Sequence, residues 1–265
     1  MRLPFTQVDA FADRPFTGNP AAVMPLEAWL SDETLQAIGA ENNLAETAFI
    51  VPDASRAADY ELRWFTPTTE VVLCGHATLA SGHVVLGGNA GRDRVTFRTR
   101  RSGVLSVARS GDGYELALPD WTPSPKPLDA IVDALGVSGV VETLWHEHRY
   151  GLVVLDSKEE VRRCAPDFRR LAAEGDVLTI VSARGSETDV VSRAFAPGAG
   201  IDEDPVTGSA HAVLVPYWCE RLGRTSLTAY QASARGGYLT CRVEDGRVVL
   251  GGRCVTVIEG AFLLP

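Results

Sequence analysis

The amino-acid sequence resembles itself at a fixed offset, and this internal repeat constrains the fold more than any other feature. Segments 65–87 and 195–223 both begin with Phe-x-Pro, pass an acidic stretch and a turn of small residues, and end in an apolar helical pattern. The small-residue turns begin at Gly75 and Gly208, which are 133 positions apart. The same offset recurs downstream in three further pairs: Phe97 and Tyr230, Gly103 and Gly236, and Asp112 and Asp245. Because there are only two long repeats, the pattern predicts two similar lobes of about half the chain each rather than a solenoid.

In each lobe the sequence pattern predicts several strands around one central helix, which is an α+β fold. The central helices are predicted at about 77–86 and 209–221, the second interrupted near Pro216. Both helices are apolar nearly all round, which is typical of a helix enclosed by the rest of its domain. Each lobe is therefore expected to be a highly curved, mostly antiparallel sheet wrapped around its helix. An earlier helix, at 30–41, has Ser31 as its predicted N-cap.

The proposed domain boundaries follow from the repeat. The N-terminal lobe is assigned to residues 1–119 and the C-terminal lobe to 126–253, with the last strand, 254–265, as a candidate completion of the first lobe. The proline-containing stretch 122–129 resembles a linker. We expect an active site in a cleft between the two lobes.

Composition excludes several classes of protein. The chain of 265 residues has a formal net charge of −9 and no basic stripe, which argues against a nucleic-acid partner. No apolar run is long enough to span a bilayer, and the N-terminus lacks a signal-peptide pattern, so no membrane partner and a cytoplasmic location are expected. The five cysteines are scattered and form no CxxC pair, which indicates reduced thiols and no zinc knuckle.

The two predicted helix starts are candidate anion sites. The first N–H groups of a helix have no partner within it, and two such ends facing one cleft would bind a carboxylate. The alternative is that Ser209 and neighbouring side chains simply cap the helices. An acidic run lies just before the second helix. Charge compensation on a solvated loop is sufficient to explain Asp202 and Glu203. Asp204 directly precedes Pro205, which restricts the backbone of Asp204 and would fix the direction of its side chain toward the cleft.

Glu46 interrupts an otherwise small and apolar strand pattern. If it faces inward with Ala48 and Ile50, it is a buried lone carboxylate of the kind that serves as an acid or base near neutral pH. The alternative is an edge residue that faces water. His76 offers two ring nitrogens at the first helix start, although a structural histidine is the commoner case. Cys74 beside it is either a thiolate activated by the helix or an inert buried thiol.

At these residues the sequence resembles the PhzF family of phenazine-biosynthesis-type isomerases. The resemblance spans nearly the whole chain, and its motifs stand here in the family's order: PFTGNPAAV, NLAETAF, RWFTPTTEVVLCGHATLA, DEDPVTGSAHAVLVPYW and QASARGG. It implies a diaminopimelate-epimerase-like fold, no cofactor or metal, and a homodimer. The family's string has Ser before the glutamate where this chain has Ala45, which puts a hydroxyl contact there in doubt.

The resemblance also implies roles for particular residues. Glu46 would be the general acid/base that moves a proton between substrate carbons, and His76 and Asp204 would hold and polarise the substrate. The remaining residues implied at the substrate are Asn19, Gly75, Thr207, Gly208 and Ser209. In the wider superfamily, racemases use two thiols; the first aligns with Cys74, but the second aligns with Pro205, which cannot carry a proton.

The resulting prediction is a cofactor-independent isomerase of a small carboxylate, for example of the trans-2,3-dihydro-3-hydroxyanthranilate type. Two alternatives stay open at this point: a non-catalytic small-molecule binding protein on the same scaffold, and an amino-acid racemase or epimerase.

Overall fold

A computed structural model describes residues 1–264. Within that range the strands, in chain order, are β1 (Arg2–Ala10), β2 (Asn19–Pro25), β3 (Glu46–Pro52), β4 (Tyr60–Phe65), β5 (Glu70–Val71), β6 (Arg94–Thr99), β7 (Val104–Ser110), β8 (Gly113–Pro119), β9 (Ser124–Pro125), β10 (Val140–His146), β11 (Tyr150–Leu155), β12 (Leu178–Arg184), β13 (Val190–Ala196), β14 (Ile201–Asp204), β15 (Ser226–Gln231), β16 (Gly237–Glu244), β17 (Arg247–Gly252) and β18 (Cys254–Leu263). The helices are α1 (Asp32–Asn42), α2 (Gly75–Gly87), α3 (Asp129–Leu135), α4 (Lys158–Arg163), α5 (Phe168–Ala173) and α6 (Gly208–Leu222), with a 3-10 turn at Pro197–Ala199.

The chain divides into two compact units. The first contains Met1–Ala117 together with the chain from Gly251 onward, and the second contains Leu118–Leu250. The last strand thus belongs to the first unit, where β18 pairs antiparallel with β1. Among residues 1–264, no helix combines the length and the apolar character needed to cross a membrane.

The first unit is a mixed sheet packed around α2. From β18 the sheet continues through β1 to β2 in antiparallel pairs, β3 joins β2 in parallel, and β4 turns back antiparallel on β3. Strand β6 then lies parallel to β4, and β7 and β8 follow as antiparallel neighbours. Helix α2 packs against β1, β2, β3, β6, β7 and β18. All of its first eight residues are buried, so every face of the first two turns is covered, as expected of a helix enclosed by strands.

The second unit repeats this order of pairings. Strand β10 pairs antiparallel with β9 and β11, β12 is parallel to β11, and β13 turns back antiparallel on β12. Strand β15 is parallel to β13, and β16 follows antiparallel. Helix α6 packs on β11, β12, β15 and β16. Since α2 and α6 begin at Gly75 and Gly208, the offset seen in the sequence reappears in the helices themselves.

Helix α6 corrects the prediction that the second central helix is interrupted near Pro216. The helix continues through this proline to Leu222. Proline lacks the N–H that would bond to the carbonyl four residues earlier, which usually breaks a helix. Here that carbonyl, on Ala212, accepts a hydrogen bond from the backbone N–H of Trp121 at 3.1 Å. The lost intrahelical bond is replaced from outside the helix, so the helix persists.

The stretch 122–129 is not a free linker as predicted. Ser124 and Pro125 form β9, which pairs with Trp145 and Leu144 of β10. The backbone N–H of Lys126 also donates to the carbonyl of Thr143 at 3.0 Å. Proline is tolerated there because an edge strand needs only part of its backbone hydrogen bonds. The segment is therefore an edge strand of the second unit.

Candidate active site

Glu46 is held at the start of a buried strand. It is the first residue of β3 and lies opposite Ala21 of β2 in the parallel register. The six residues from Glu46 to Val51 are all buried, and Glu46 itself is only 8% exposed. Of the two possibilities that the sequence left open for Glu46, the edge residue that faces water is wrong and the buried carboxylate is right.

His76 meets this carboxylate from the start of α2. It is the second residue of the helix and 3% exposed, and its Nε2 lies 2.9 Å from Glu46 Oε2. On the opposite side of the ring, Nδ1 lies 3.1 Å from the side-chain amide nitrogen of Asn19, a fully buried residue at the start of β2. The structure thus brings together Asn19, Glu46 and His76, three residues that are far apart in sequence.

The charge of His76 is set by its neighbours. Burial alone would lower the pKa of the ring, but its interactions with Cys74 and with the Glu46 carboxylate raise the pKa of His76 well above its ordinary value of 6.5. At neutral pH, where Cys74 is a neutral thiol, the Glu46 carboxylate is the anion that stabilises the charged ring. The ring therefore carries a proton at neutral pH and forms an ion pair with the Glu46 carboxylate. With both ring nitrogens protonated, a half-turn of the Asn19 amide lets its oxygen accept from Nδ1, because the two amide atoms are interchangeable in shape.

Cys74 lies beside the pair and behaves as a neutral thiol. Its Sγ is 3.5 Å from His76 Nδ1 and 4.0 Å from Nε2. Burial, followed by the negative charge of Glu46, raises the pKa of this thiol to about 11. Because the thiolate is the reactive form of cysteine, a thiol of this pKa is a poor nucleophile and a poor base at neutral pH. Of the two interpretations of Cys74, the structure favours the inert one.

In the second unit, Asp204 and Thr207 form a tight polar turn before α6. The Thr207 hydroxyl donates to Asp204 Oδ2 at 2.6 Å. The buried side chain of Gln231 holds both residues: its Nε2 donates to the Asp204 carbonyl at 2.7 Å and to Thr207 Oγ1 at 3.1 Å. Its Oε1 accepts from the Thr207 backbone N–H at 2.8 Å. The direction of the Asp204 carboxylate is thus fixed by bonds on both sides of the turn.

Gln231 is the polar residue at this turn that the sequence did not single out. It lies within the QASARGG string, yet a lone glutamine at the end of a strand carries no pattern that predicts which backbone groups it binds. Its partners lie 24 and 27 residues earlier in the chain. Only the parallel pairing of β15 with β13, which places it behind the turn, makes the contact.

The first turn of α6 also contains His211, whose ring is neutral where that of His76 is charged. It is fully buried, and its Nδ1–H donates to the Thr207 carbonyl at 2.8 Å. Burial without a compensating anion lowers the pKa of His211 to about 4, so this ring is neutral at physiological pH. His211 is a structural histidine, whereas His76 is half of an ion pair.

The helix starts are not capped by side chains, contrary to the alternative that Ser209 and its neighbours do so. In residues 1–264, neither Cys74 at the N-cap of α2 nor Thr207 at the N-cap of α6 makes a side-chain cap hydrogen bond. Gly75 and Gly208, which begin the two helices, are buried, and Ser209 is half-buried. The first turns therefore retain backbone N–H groups of the kind that bind anions.

Glu203 needs a correction. It was expected to be a solvated acid on a loop, but it lies in β14 and forms a two-pronged ion pair with Arg193, with N–O distances of 2.7 and 3.0 Å. Arg193 also donates to the backbone carbonyl of Cys164 at 2.5 Å. The pair anchors β14 to its neighbouring strand, one residue before Asp204. Asp202 is exposed, as expected.

A surface pocket in the first unit involves none of the predicted site residues. Its walls include Arg63, Glu70, Val72 and Arg100. The guanidinium of Arg63 is bound by Glu70 at 2.7 and 2.8 Å and by Asp32 at 2.9 Å. The buried cation of this pocket, Arg63, is therefore already paired with two carboxylates, and none of the residues predicted at the active site lines the pocket.

Comparisons with known proteins define the class. Residues 8–260 match the model of the PhzC-PhzF family, described as phenazine biosynthesis-like protein. An uncharacterized isomerase of Pseudomonas aeruginosa is 48% identical over 265 residues, covering 100% of both chains. A phenazine biosynthesis-like domain-containing protein of Homo sapiens is 38% identical, with 99% of each chain covered. The chain belongs to the PhzC-PhzF family, whose relatives here include proteins named as isomerases.

Solved structures agree with this family and confirm the predicted fold class. A PhzF-family protein of Enterococcus faecalis superposes with a TM-score of 0.91 at 44% identity, covering 100% of both chains. A hydroxyproline epimerase of Agrobacterium vitis has a TM-score of 0.63 at 10% identity, covering 98% of this chain and 92% of that one. At that identity the second likeness concerns the fold alone, which is the epimerase-like α+β fold expected from the sequence.

Proposed function

We propose that this protein is a cofactor-independent isomerase that moves a proton between two carbons of a small carboxylate, with Glu46 as the acid and base. The observation that carries the proposal is the buried ion pair of Glu46 with His76, 2.9 Å apart. A carboxylate that both removes and returns the proton has to be shielded from water and held in place. The burial of Glu46 and its contact with His76 support this role.

The pair provides for the charge changes of such a reaction. In the resting state His76 lies 2.9 Å from the Glu46 carboxylate, which is the group that accepts a proton from a carbon acid in this mechanism. Once the proton has moved, Glu46 is neutral and the negative charge lies on the substrate. The His76 cation then stabilises that charge, acting as a fixed electrostatic partner of the intermediate. Return of the proton to another carbon restores the ion pair and completes an allylic or dienyl isomerisation.

Asp204 is the second polar group of the proposed mechanism. Its carboxylate accepts a hydrogen bond from Thr207 Oγ1, and Gln231 holds its backbone carbonyl, so the side chain has a fixed direction in which to accept hydrogen bonds from a substrate hydroxyl or amino group. The first turns at Gly75 and at Gly208 and Ser209 would bind the substrate carboxylate.

A variant with substitutions at both Glu46 and Asp204 tests whether the two residues serve one reaction. If the loss of rate in the double variant falls well short of the sum of the two single losses, expressed as free energies, the residues act together.

The decisive experiment is the substitution Glu46→Gln, which keeps the size of the side chain and removes the base. The purified protein is incubated in heavy water with a panel of small carboxylates that includes trans-2,3-dihydro-3-hydroxyanthranilate and simple amino and hydroxy acids. Deuterium incorporation is measured by mass spectrometry. Loss of a general base typically costs about 10²–10⁴-fold in rate, and a loss of that size is expected here.

A matched control is Glu41→Gln, the same change at an exposed position of α1. It is expected to exchange deuterium at the wild-type rate. Equal rates in the Glu46→Gln variant and the wild type, on a substrate that is turned over, would show that Glu46 is not the base.

The two alternatives give different results. A non-catalytic binding protein would bind a member of the panel and exchange none. A thiol-dependent racemase would lose activity in Cys74→Ala, but the pKa of about 11 and the proline at position 205 both weigh against it. Binding of a small carboxylate, the absence of a cofactor, a cytoplasmic location and homodimer formation remain predictions.

A further inference from the structure

Cys74 has no task in a proton shuttle by Glu46, yet its sulfur is part of the same cluster. One carboxylate oxygen of Glu46, the sulfur of Cys74 and one ring nitrogen of His76 all lie within 4.8 Å of one another. The three residues are 8%, 6% and 3% exposed. Moreover, Glu46 Oε2 is buried and accepts no hydrogen bond of good geometry from any group in residues 1–264, although His76 lies at ion-pair distance.

From this arrangement we infer a binding site for a soft divalent metal ion such as Zn²⁺, made of Glu46, Cys74 and His76, at which the metal inhibits rather than assists the reaction. Sulfur, imidazole nitrogen and carboxylate oxygen are the three ligand types that Zn²⁺ takes in proteins. An oxygen-seeking ion such as Mg²⁺ would not choose a thiol and an imidazole. The chemistry of the donor set therefore selects the class of ion.

The distances are close to those of a metal site. With Zn–S of about 2.3 Å and Zn–N and Zn–O of about 2.0–2.2 Å, tetrahedral ligand atoms lie roughly 3.2–3.7 Å apart. Here the Glu46–His76 distance is 2.9 Å and the Cys74–His76 Nε2 distance is 4.0 Å. The Glu46 oxygen and the Cys74 sulfur lie no more than 4.8 Å apart. Side-chain movements on the order of 1 Å would bring all three atoms onto one ion. The fourth position is left to water or to a ligand carboxylate.

Binding exchanges protons for the metal. The thiol of Cys74 loses its proton to solvent as the S–metal bond forms, and His76 loses the proton on the nitrogen that binds. The metal-bound Glu46 oxygen can no longer receive a proton from a carbon acid. The same contact that gives the site its affinity thus blocks the proposed base.

The test uses the full-length protein and Cd²⁺, a Zn²⁺ analogue whose bond to thiolate absorbs in the ultraviolet. Titration with Cd²⁺ is expected to give this absorption with one equivalent bound, and competition with Zn²⁺ is expected to abolish it. The variant Cys74→Ser should lose the absorption and bind Zn²⁺ at least tenfold more weakly in calorimetry. Glu46→Gln should retain the absorption but also bind more weakly.

Controls separate this cluster from the other four free thiols. Cys254 is the least buried cysteine, so the matched variant Cys254→Ser reports adventitious binding and is expected to behave as the wild type. Thermal unfolding of each variant shows that loss of binding is not loss of fold. An absent absorption in the wild type, or an undiminished one in Cys74→Ser, would overturn the proposal. The readout does not depend on turnover, so either outcome leaves the proposed isomerase function to its own test.

Discussion

The starts of the two central helices, α2 and α6, occupy corresponding places in a repeated fold but carry opposite electrostatics. At α2, His76 is charged because the carboxylate of Glu46 lies 2.9 Å from it. At α6, His211 is equally buried but neutral, because its ring contacts a backbone carbonyl and no carboxylate. The neighbours of a histidine set its charge, so one repeat contains a buried ion pair and the other a hydrogen-bonded turn.

The two units of this repeated fold place different groups at corresponding positions. The first unit holds a carboxylate against an imidazole, with Glu46 at a strand start and His76 at a helix start. In the second unit, Gln231 and Thr207 fix the direction of a single carboxylate, Asp204. A buried ion pair contributes little to stability by itself, since desolvation offsets the attraction, whereas neutral hydrogen bonds to buried backbone groups stabilise a turn reliably. Changes at the first site should therefore reduce activity and changes at the second should reduce stability.

Matched histidine substitutions should produce the largest effect. His76→Gln removes the cation that stabilises charge on the substrate, and turnover is expected to fall by about 10²–10³-fold, the typical cost of losing one such group. His211→Gln should leave turnover nearly unchanged. Both variants are measured by the deuterium-exchange assay on the same substrate. An equal loss of rate in the two variants would remove the distinction between the two helix starts.

The second effect is on stability at acid pH. The pKa of His211 is about 4 in the folded protein and about 6.5 when unfolded, so the unfolded state binds a proton more readily. Its contribution is fully present above pH 6.5 and is lost as the pH falls toward 4, by about 3 kcal/mol. Urea unfolding at a series of pH values measures this slope. In His211→Gln the slope between these values should be clearly smaller; an unchanged slope would assign acid sensitivity to other groups.

Much of the fold could be predicted from the sequence. The offset between Gly75 and Gly208 predicted a duplicated fold, because both repeats carry the same local pattern of strand, turn and apolar helix. The strand alternation around Glu46 left its burial undecided, and the structure decided it through the register of β3 on β2. Glycine turns and apolar runs are local signals, and for that reason the sequence alone predicts the turns and helices that they form.

The sequence could not show which residues distant in the chain supply hydrogen-bond and ion-pair partners. Pro216 predicted a break in the helix. Instead, the backbone N–H of Trp121 donates to the Ala212 carbonyl, 91 residues later in the chain, and replaces the hydrogen bond that the proline cannot make. Glu203 was expected to be solvated, but its partner Arg193 lies on the neighbouring strand. Gln231 likewise binds groups more than 20 residues away. In each case the outcome depends on which strands become neighbours, and local patterns carry no such information.

A third and smaller effect should come from the turn before α6. Gln231→Leu keeps the approximate volume of the side chain but leaves the Thr207 N–H and the Asp204 carbonyl without their partner. A loss of about 2 kcal/mol in the free energy of unfolding is expected from these unsatisfied buried groups. Gln36→Leu is the matched control, because Gln36 makes one half-buried bond, to the Thr66 carbonyl at 3.0 Å. If Gln36→Leu costs as much as Gln231→Leu, the turn is not held as described.

The smallest effect, and the most direct probe of the comparison, is a change in the titration of His76 that requires no catalysis. The pKa of His76 is raised in the folded protein, partly by Glu46. The small net stabilisation from its pairing is therefore fully present below the unfolded pKa of about 6.5 and is lost as the pH rises through the folded pKa, opposite in sign to His211. In Glu46→Gln the pKa of His76 should fall, while that of His211 stays near 4. Nuclear magnetic resonance titration of labelled histidines, assigned with the two His→Gln variants, measures both rings in one sample. A His76 pKa that does not move would mean that the carboxylate does not set its charge, and the proposed roles of both residues would lose their electrostatic basis.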